Sequence, residues 1–179
     1  ATAALLAEAN SGATTKITLP DSVGIGLYHQ LTPALALMAS VEWTNWSLFN
    51  NLDVHATNGS GDTIINEHWR NTWFAGVGAN YRATDKLTLQ TGFSYDQSPV
   101  DNANRTTRVP DADHYNLGFG VKYQVLPSTT LQLAYLHVFT PGGTINNSAS
   151  APGGLQAGVI SGTYATSDNS VTAGVAVRF

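Results

Sequence analysis

Ser94, Asp96 and His114 come closest in this chain to a hydrolytic set: a hydroxyl, a carboxylate and an imidazole. To work, such groups must converge so that the imidazole takes the serine proton while the acid orients the ring. All three carry even numbers in neighbouring extended segments, which puts them on one face of a sheet. Sharing a face is a condition that Ser, His and acid residues often meet by chance, and the chain is read as a non-enzyme. His29, His55, His68, His114 and His137 show no metal-ligand spacing, and the absence of cysteine removes thiolate ligation and disulfides. No metal and no cofactor are expected. The net charge is −4 and Lys and Arg form no basic cluster, so nothing could neutralise a nucleic-acid backbone.

Two other groups have the chemistry of recognition. Met38, Trp46, Phe74, Leu136 and Val138 are large and apolar, whereas Glu42, His68, Arg70, Arg82, Asp96, Lys122 and Arg178 are charged or titratable. Every one of them has an even number. What that shared parity means depends on the elements that carry them.

Those elements read as strands. Between Tyr115 and Val125 the odd series is Tyr, Leu, Phe, Val, Tyr, Val, and the even series is Asn, Gly, Gly, Lys, Gln. Leu87, Leu89, Phe93 and Tyr95 alternate in the same way, as do Val171, Ala173, Val175, Val177 and Phe179. A strand sends successive side chains to opposite faces, so each stretch has an apolar odd face and a polar or glycine-rich even face. A soluble sandwich also alternates, but here the apolar face carries aromatics near strand ends, the pattern of a transmembrane β-barrel. Composition agrees: only 11% of residues are charged, 42% are hydrophobic, and no run is long enough for a membrane helix.

Seven strands are expected, at residues 22–31, 34–48, 68–82, 86–97, 114–125, 129–140 and 170–179. Tight turns at 32–33, 83–85 and 126–128 alternate with long polar segments at 49–67, 98–113 and 141–169. Short turns on one rim and long loops on the other match periplasmic and extracellular rims respectively. Tyr81, Tyr123 and Phe179 then fall near the periplasmic ends, and Trp43, Trp69, Tyr95, Tyr115 and Phe139 near the outer ends. Residues 1–21 are expected to be an outer-loop remnant and an upward strand extension through Ala13, Thr15, Ile17 and Leu19, interrupted at Pro20, with a turn or two of helix at 2–9. Residues 22–179 then form a single domain of barrel strands. The start of the chain lacks the basic region and apolar core of a signal peptide, as expected of a mature or truncated chain. Seven is an odd count, whereas bacterial single-chain barrels have even ones. Either an eighth strand lies in residues 1–19 or the chain is part of a larger barrel.

With odd positions toward lipid, even positions line the interior. Gly24/Gly26, Gly76/Gly78 and Gly118/Gly120 leave room there for a plug or a substrate, or relieve curvature in the wall. Met38, Trp46, Phe74, Leu136 and Val138 would be out of place in a water-filled pore and suit passage of hydrophobic molecules, or packing against a plug or loop. The inward charges form a solvated or salt-bridged network, with Arg70 and Lys122 the candidates for holding a carboxylate headgroup. Asp53, Asp62, Asp101, Asp111 and Asp113 are solvated loop acids, or hold divalent cations together with lipopolysaccharide.

Five stretches resemble the FadL-type long-chain fatty-acid transporters in order and spacing. They are Leu19-Pro20-Asp21-Ser22-Val23, Val41-Glu42-Trp43-Thr44-Asn45-Trp46-Ser47, Val109-Pro110-Asp111-Ala112-Asp113-His114-Tyr115, Tyr135-Leu136-His137-Val138-Phe139 and Val175-Ala176-Val177-Arg178-Phe179. The resemblance covers nearly the whole chain from about Thr15. It implies a fourteen-stranded outer-membrane barrel plugged by a hatch, of which this chain corresponds to the last seven strands. It also implies passive transport of fatty acids or aromatic hydrocarbons. The expected partners are hydrophobic small molecules, outer-membrane lipid and lipopolysaccharide, and the barrel assembly machinery through an aromatic Phe179. The rival expectation is a small eight-stranded barrel with an anchoring or adhesion role.

Overall fold

The computed structural model describes residues 12–57, 62–147 and 160–179. Seven strands form one antiparallel sheet in the order β10-β9-β8-β7-β6-β3-β2. They are β2 (Ser22–Gln30), β3 (Leu35–Thr44), β6 (Thr72–Arg82), β7 (Leu87–Asp96), β8 (His114–Leu126), β9 (Thr129–Asn147) and β10 (Ile160–Val177). A second sheet, β1-β4-β5, is built from β1 (Ala13–Thr15), β4 (Asn51–Ala56) and β5 (Asp62–Asn66). Among the described residues β2 and β10 are unpaired edges, and no eighth strand joins the large sheet.

The register preserves parity across all seven strands. Val23 pairs with Trp43, Trp43 with Trp73, Val77 with Phe93, Phe93 with Leu117, Phe119 with Tyr135 and Tyr135 with Val171. Between the irregularities at the two rims, odd residues therefore share one face and even residues the other, as the sequence predicts. The odd face is continuous and bare: Val77 is 61% exposed, Phe119 52% and Leu133 55%. A sheet one layer thick cannot hide such a face from water; lipid can. All charged residues inside the seven strands (Glu42, Arg82, Asp96, Lys122 and Asp168) are even-numbered, where lipid is not met.

Two of the short turns use one device. In 31–35 the Thr32 hydroxyl oxygen accepts from the Ala34 and Leu35 amides at 3.2 and 3.0 Å. In 83–87 Thr84 does the same for Lys86 and Leu87 at 3.2 and 3.1 Å. A side-chain oxygen that satisfies backbone donors lets the chain reverse within a few residues.

The loop rim differs from expectation. The strand placed at 34–48 ends at Thr44, because Trp46–Leu48 form a 3₁₀ turn held by Asn71 Oδ1 accepting from the Ser47 amide at 2.9 Å. The strand placed at 68–82 begins at Thr72, after His68 adopts φ +48°, a left-handed conformation that breaks a ladder. Segment 49–67 is not plain loop, since it carries the β4–β5 hairpin. Ala13–Thr15 does not extend β2 upward; it pairs with β4, Ala13 against Ala56. The helix expected at 2–9 lies outside the described residues. In segment 141–169, β9 continues to Asn147 and β10 starts at Ile160. Between them Pro141 and Gly142 face Ala165 alone, a bulge with Gly142 at φ +113°.

Candidate functional site

One row of the ladder crosses all seven strands on the even face: Tyr28, Met38, Gly78, Gly92, Gly118, Leu136 and Ser170 are successive partners. Three adjacent strands thus present glycine at one height, leaving a trough about 10 Å wide from two strand spacings. Its edges are apolar. A Cβ on Gly78 would lie 3.5 Å from the Met38 methyl, and one on Gly118 would lie 3.8 Å from a Leu136 methyl. One row toward the loops, Phe74 lays its ring over Gly76, 3.3 Å from where a Cβ would be. The concavity so formed has a volume of about 350 Å³, and its only polar side chains are Ser40, Ser94 and Asn116.

The expected site residues do not all meet there. Met38, Phe74 and Leu136 line the trough. Val138 sits one inward step nearer the loop rim, between Asn116 and Asp168. Trp46 is off the strand: its ring meets Trp69 edge-on at 5.1 Å, and Phe49 packs on Trp69 at 4.6 Å. Trp69 belongs to this loop-rim cluster rather than to the outward girdle, where Trp73 stands instead, paired with Trp43. Arg70 also precedes β6, so strand parity does not govern it. It donates from Nε to the Ser98 carbonyl at 3.1 Å and lies 3.8 Å from Asp113. Lys122 is inward but at the opposite rim, in a second concavity with Lys86 and Arg178.

Sequence reasoning missed the loop-rim block. Segment 98–113 is packed and heavily hydrogen-bonded: Val100 is 2% exposed, Ser98 1% and Arg105 5%. The Arg105 guanidinium donates to the carbonyls of Asp111 at 2.7 Å, Thr144 at 3.1 Å and Val100 at 3.2 Å, and to Asn102 Oδ1. It lies where a side chain on Gly143 would be, which is why that position is glycine. Asp113 accepts from the Tyr95 hydroxyl at 2.5 Å and the Ser98 amide at 2.9 Å, fixing the block to β7. The legible signal was Asp101, which accepts from the Ala103 and Asn104 amides as aspartate does in a turn. Ser94 and His114 make separate contacts: Asn116 donates to Ser94 Oγ at 3.1 Å, and His114 lies 3.5 Å from Asp111. Nearby, burial is the main influence on Glu67 and raises its carboxyl above the usual range, against smaller lowering effects of the Trp69 indole and Arg108.

A single-layer sheet with a lipid-type face and an apolar inner trough finds its match among known proteins. Residues 1–179 match the family described as "Outer membrane protein transport protein (OMPP1/FadL/TodX)". The chain belongs to that family. Its FadL/TodX relatives include the long-chain fatty acid transport protein of Escherichia coli K12, 31% identical over 125 residues, covering 68% of this chain and 28% of that protein. The 47 kDa outer membrane protein of Pasteurella multocida is 32% identical over 125 residues, covering 70% and 29% respectively. The crystal structure of a Pseudomonas aeruginosa FadL homologue superposes with TM-score 0.77 at 32% identity, over 91% of this chain and 36% of that one. The Pseudomonas putida toluene transporter TodX shares the fold, with TM-score 0.63 at 18% identity over 93% of this chain and 36% of that one. The chain thus spans about a third or less of the relatives it matches. Family membership places it in the outer membrane as antiparallel barrel wall, and the open edges of β2 and β10 accord with part of a larger barrel.

Proposed function

We propose that this chain forms part of the wall of an outer-membrane barrel through which hydrophobic molecules, long-chain fatty acids or aromatic hydrocarbons, pass without cofactor or energy input. The observation that carries the reading is the glycine row flanked by Met38 and Leu136 and overhung by Phe74. Aligned glycines relieve curvature in any barrel wall, but the methyl groups that edge them give a wall bathed in water nothing. A greasy ligand gains close contact and loses hydrated apolar surface. The loop rim faces outward, where Trp46, Phe49 and Trp69 offer a first apolar contact beside Arg70. Val138 lies on the way in, and the short-turn rim faces the periplasm. The chain moves its cargo and does not transform it. Lipopolysaccharide around the loop rim and assembly machinery reading Phe179 complete the set of proposed partners.

Gly118→Phe tests the trough. A Cβ at Gly118 meets its neighbours at 3.8 to 3.9 Å, ordinary contact, so the strand can keep its pairing while the ring fills the groove. The protein, expressed from its own gene, is reconstituted in liposomes, and entry of radiolabelled oleate and of toluene is followed. Normal folding with most of the uptake of both lost is expected; wild-type rates for both would refute the trough as the route.

A further inference from the structure

On the outward face, three polar side chains of β9 and β10 converge among apolar neighbours. Asn169 Oδ1 accepts from the Tyr135 hydroxyl at 2.6 Å and from His137 Nδ1 at 2.8 Å. Phe139 meets the His137 ring edge-on at 4.0 Å, and Leu117 and Val171 are the ladder partners of His137 and Tyr135. An imidazole that donates from Nδ1 keeps a bare lone pair on Nε2, and Asn169 Nδ2 keeps two N–H donors. Among the described residues neither atom has a hydrogen-bond partner. They belong to a face covered by lipid, where an unmet polar group is costly.

Strand tilt fixes their depth. Leu35 shares a ladder row with Tyr81 and Leu89, and the next short turn is reached two residues lower, at Leu87. Leu87 shares a row with Tyr123 and Leu131, and the turn after that is again two residues lower, at Thr129. A level in the membrane therefore drops by about one ladder row per strand, as tilted strands require. Asn169, in the row of His137 and Leu117, is thus level with Tyr115 of the outer girdle. Ala173, in the row of Leu133 and Val121, is level with Phe119, midway to Tyr123. Ala173 lines an outward concavity of about 400 Å³ with Val121, Leu131, Leu133 and Val175. It is four residues from Asn169, about 13 Å along β10 at the usual rise. An acyl chain attached at the girdle reaches that far.

We propose that His137 and Asn169 bind the amide-linked hydroxyacyl group of a lipopolysaccharide molecule in the outer leaflet, with its tail lying along β10 in the Ala173 concavity. A donor beside an acceptor matches a group that is itself both, an amide or a hydroxyl. The ester linkages of a phospholipid only accept and would leave His137 Nε2 unmet. Tyr135 is a positioning residue that holds the Asn169 amide in place. The site rests on the outward-facing loop rim and on lipopolysaccharide as a partner in the reading above, and is independent of the cargo.

The test uses the protein expressed from its own gene, in detergent, titrated with lipid A or with phosphatidylglycerol, an anionic lipid whose linkages are all esters. Native mass spectrometry reads both affinities for wild type, Asn169→Leu and His137→Phe/Asn169→Leu. Wild type is expected to prefer lipid A, and the ratio of the two affinities to fall about tenfold in the double variant, the loss of two hydrogen bonds. Should the double variant fail to fold, Asn169→Leu alone decides by the same ratio. A preference that survives the substitutions overturns this site and leaves lipopolysaccharide a partner elsewhere on the wall. Equal affinities of wild type for the two lipids overturn it as well. If wild type binds no lipid A, lipopolysaccharide itself leaves the set of partners. A concentration-dependent dimer of wild type that the double variant loses would assign the three side chains to a second copy of the chain, and so overturn the inference.

Discussion

Two adjacent residues on β8 should respond in opposite ways to the same arginine. Phe119 is on the odd face, 52% exposed, midway between Tyr115 and Tyr123. Those tyrosines are about 26 Å apart along the strand, or about 20 Å along the bilayer normal at a tilt near 40°, so Phe119 sits close to the midplane. Arginine there is expected to cost about 2–4 kcal/mol, a loss of roughly thirtyfold to several hundredfold in the folded-to-unfolded ratio. Gly118 faces the interior, and a Cβ there meets nothing nearer than 3.8 Å. Gly118→Arg therefore avoids the lipid cost, its long side chain extending out of the apolar trough into the open interior. Both variants and Phe119→Ala, which separates loss of the ring from gain of the charge, are unfolded by urea titration in phospholipid vesicles. The expected order of stability is Gly118→Arg above Phe119→Ala above Phe119→Arg. Equal losses for the two arginines would refute the assignment of faces.

Gly142→Ala should destabilise the protein by at least about 1 kcal/mol, because φ +113° is strained for any L side chain and its Cβ would run into the Tyr164 carbonyl. Gly162→Ala, with nothing within 4 Å of its Cβ, is the control, and urea midpoints compare the two. Glu67 supplies a pH dependence. Its carboxyl is raised mainly by burial, so the folded rim holds the proton more tightly than the unfolded chain does. The resulting stabilisation is full below the usual carboxylate value and is lost as pH rises through the raised one. Glu67→Gln should accordingly slow hydrogen exchange in the β4–β5 hairpin at pH 7 relative to wild type, with the difference closing as pH falls toward 4. A difference that widens on acidification would contradict the burial account.

The membrane-level part of this fold was legible because strand chemistry repeats every two residues and lipid enforces the repeat. Leu117, Phe119 and Val121 announce one face, and Gly118, Gly120 and Lys122 the other. The glycines of the trough could be seen singly, but their alignment could not, since Gly78, Gly92 and Gly118 meet only through a register set by two separate connections. The loop rim was opaque for a different reason. Its order comes from polar groups satisfying one another across long sequence separations, as Arg105 does with Thr144, and no periodicity marks such partners. Parity was also carried too far: Trp46 and Arg70 are even-numbered but stand beyond the strand ends, where number no longer means face.

The bulge at Pro141 and Gly142 bears on how such a gene can change. Deleting or inserting one codon inside a strand inverts the phase of everything beyond it, exchanging lipid-facing leucines for interior polar groups. At Pro141–Gly142 the chain already carries an odd residue, and Gly143 and Ile145 beyond it lie on the side that Gly92 and Gly118 occupy below. The inversion is harmless there because that part of β9 turns toward the Arg105 block instead of lipid. The other slip, between Gln124 and Leu126, also falls at a rim. Length variation in this lineage is therefore expected to accumulate at the rims in any number of codons, and within the bilayer not in odd numbers.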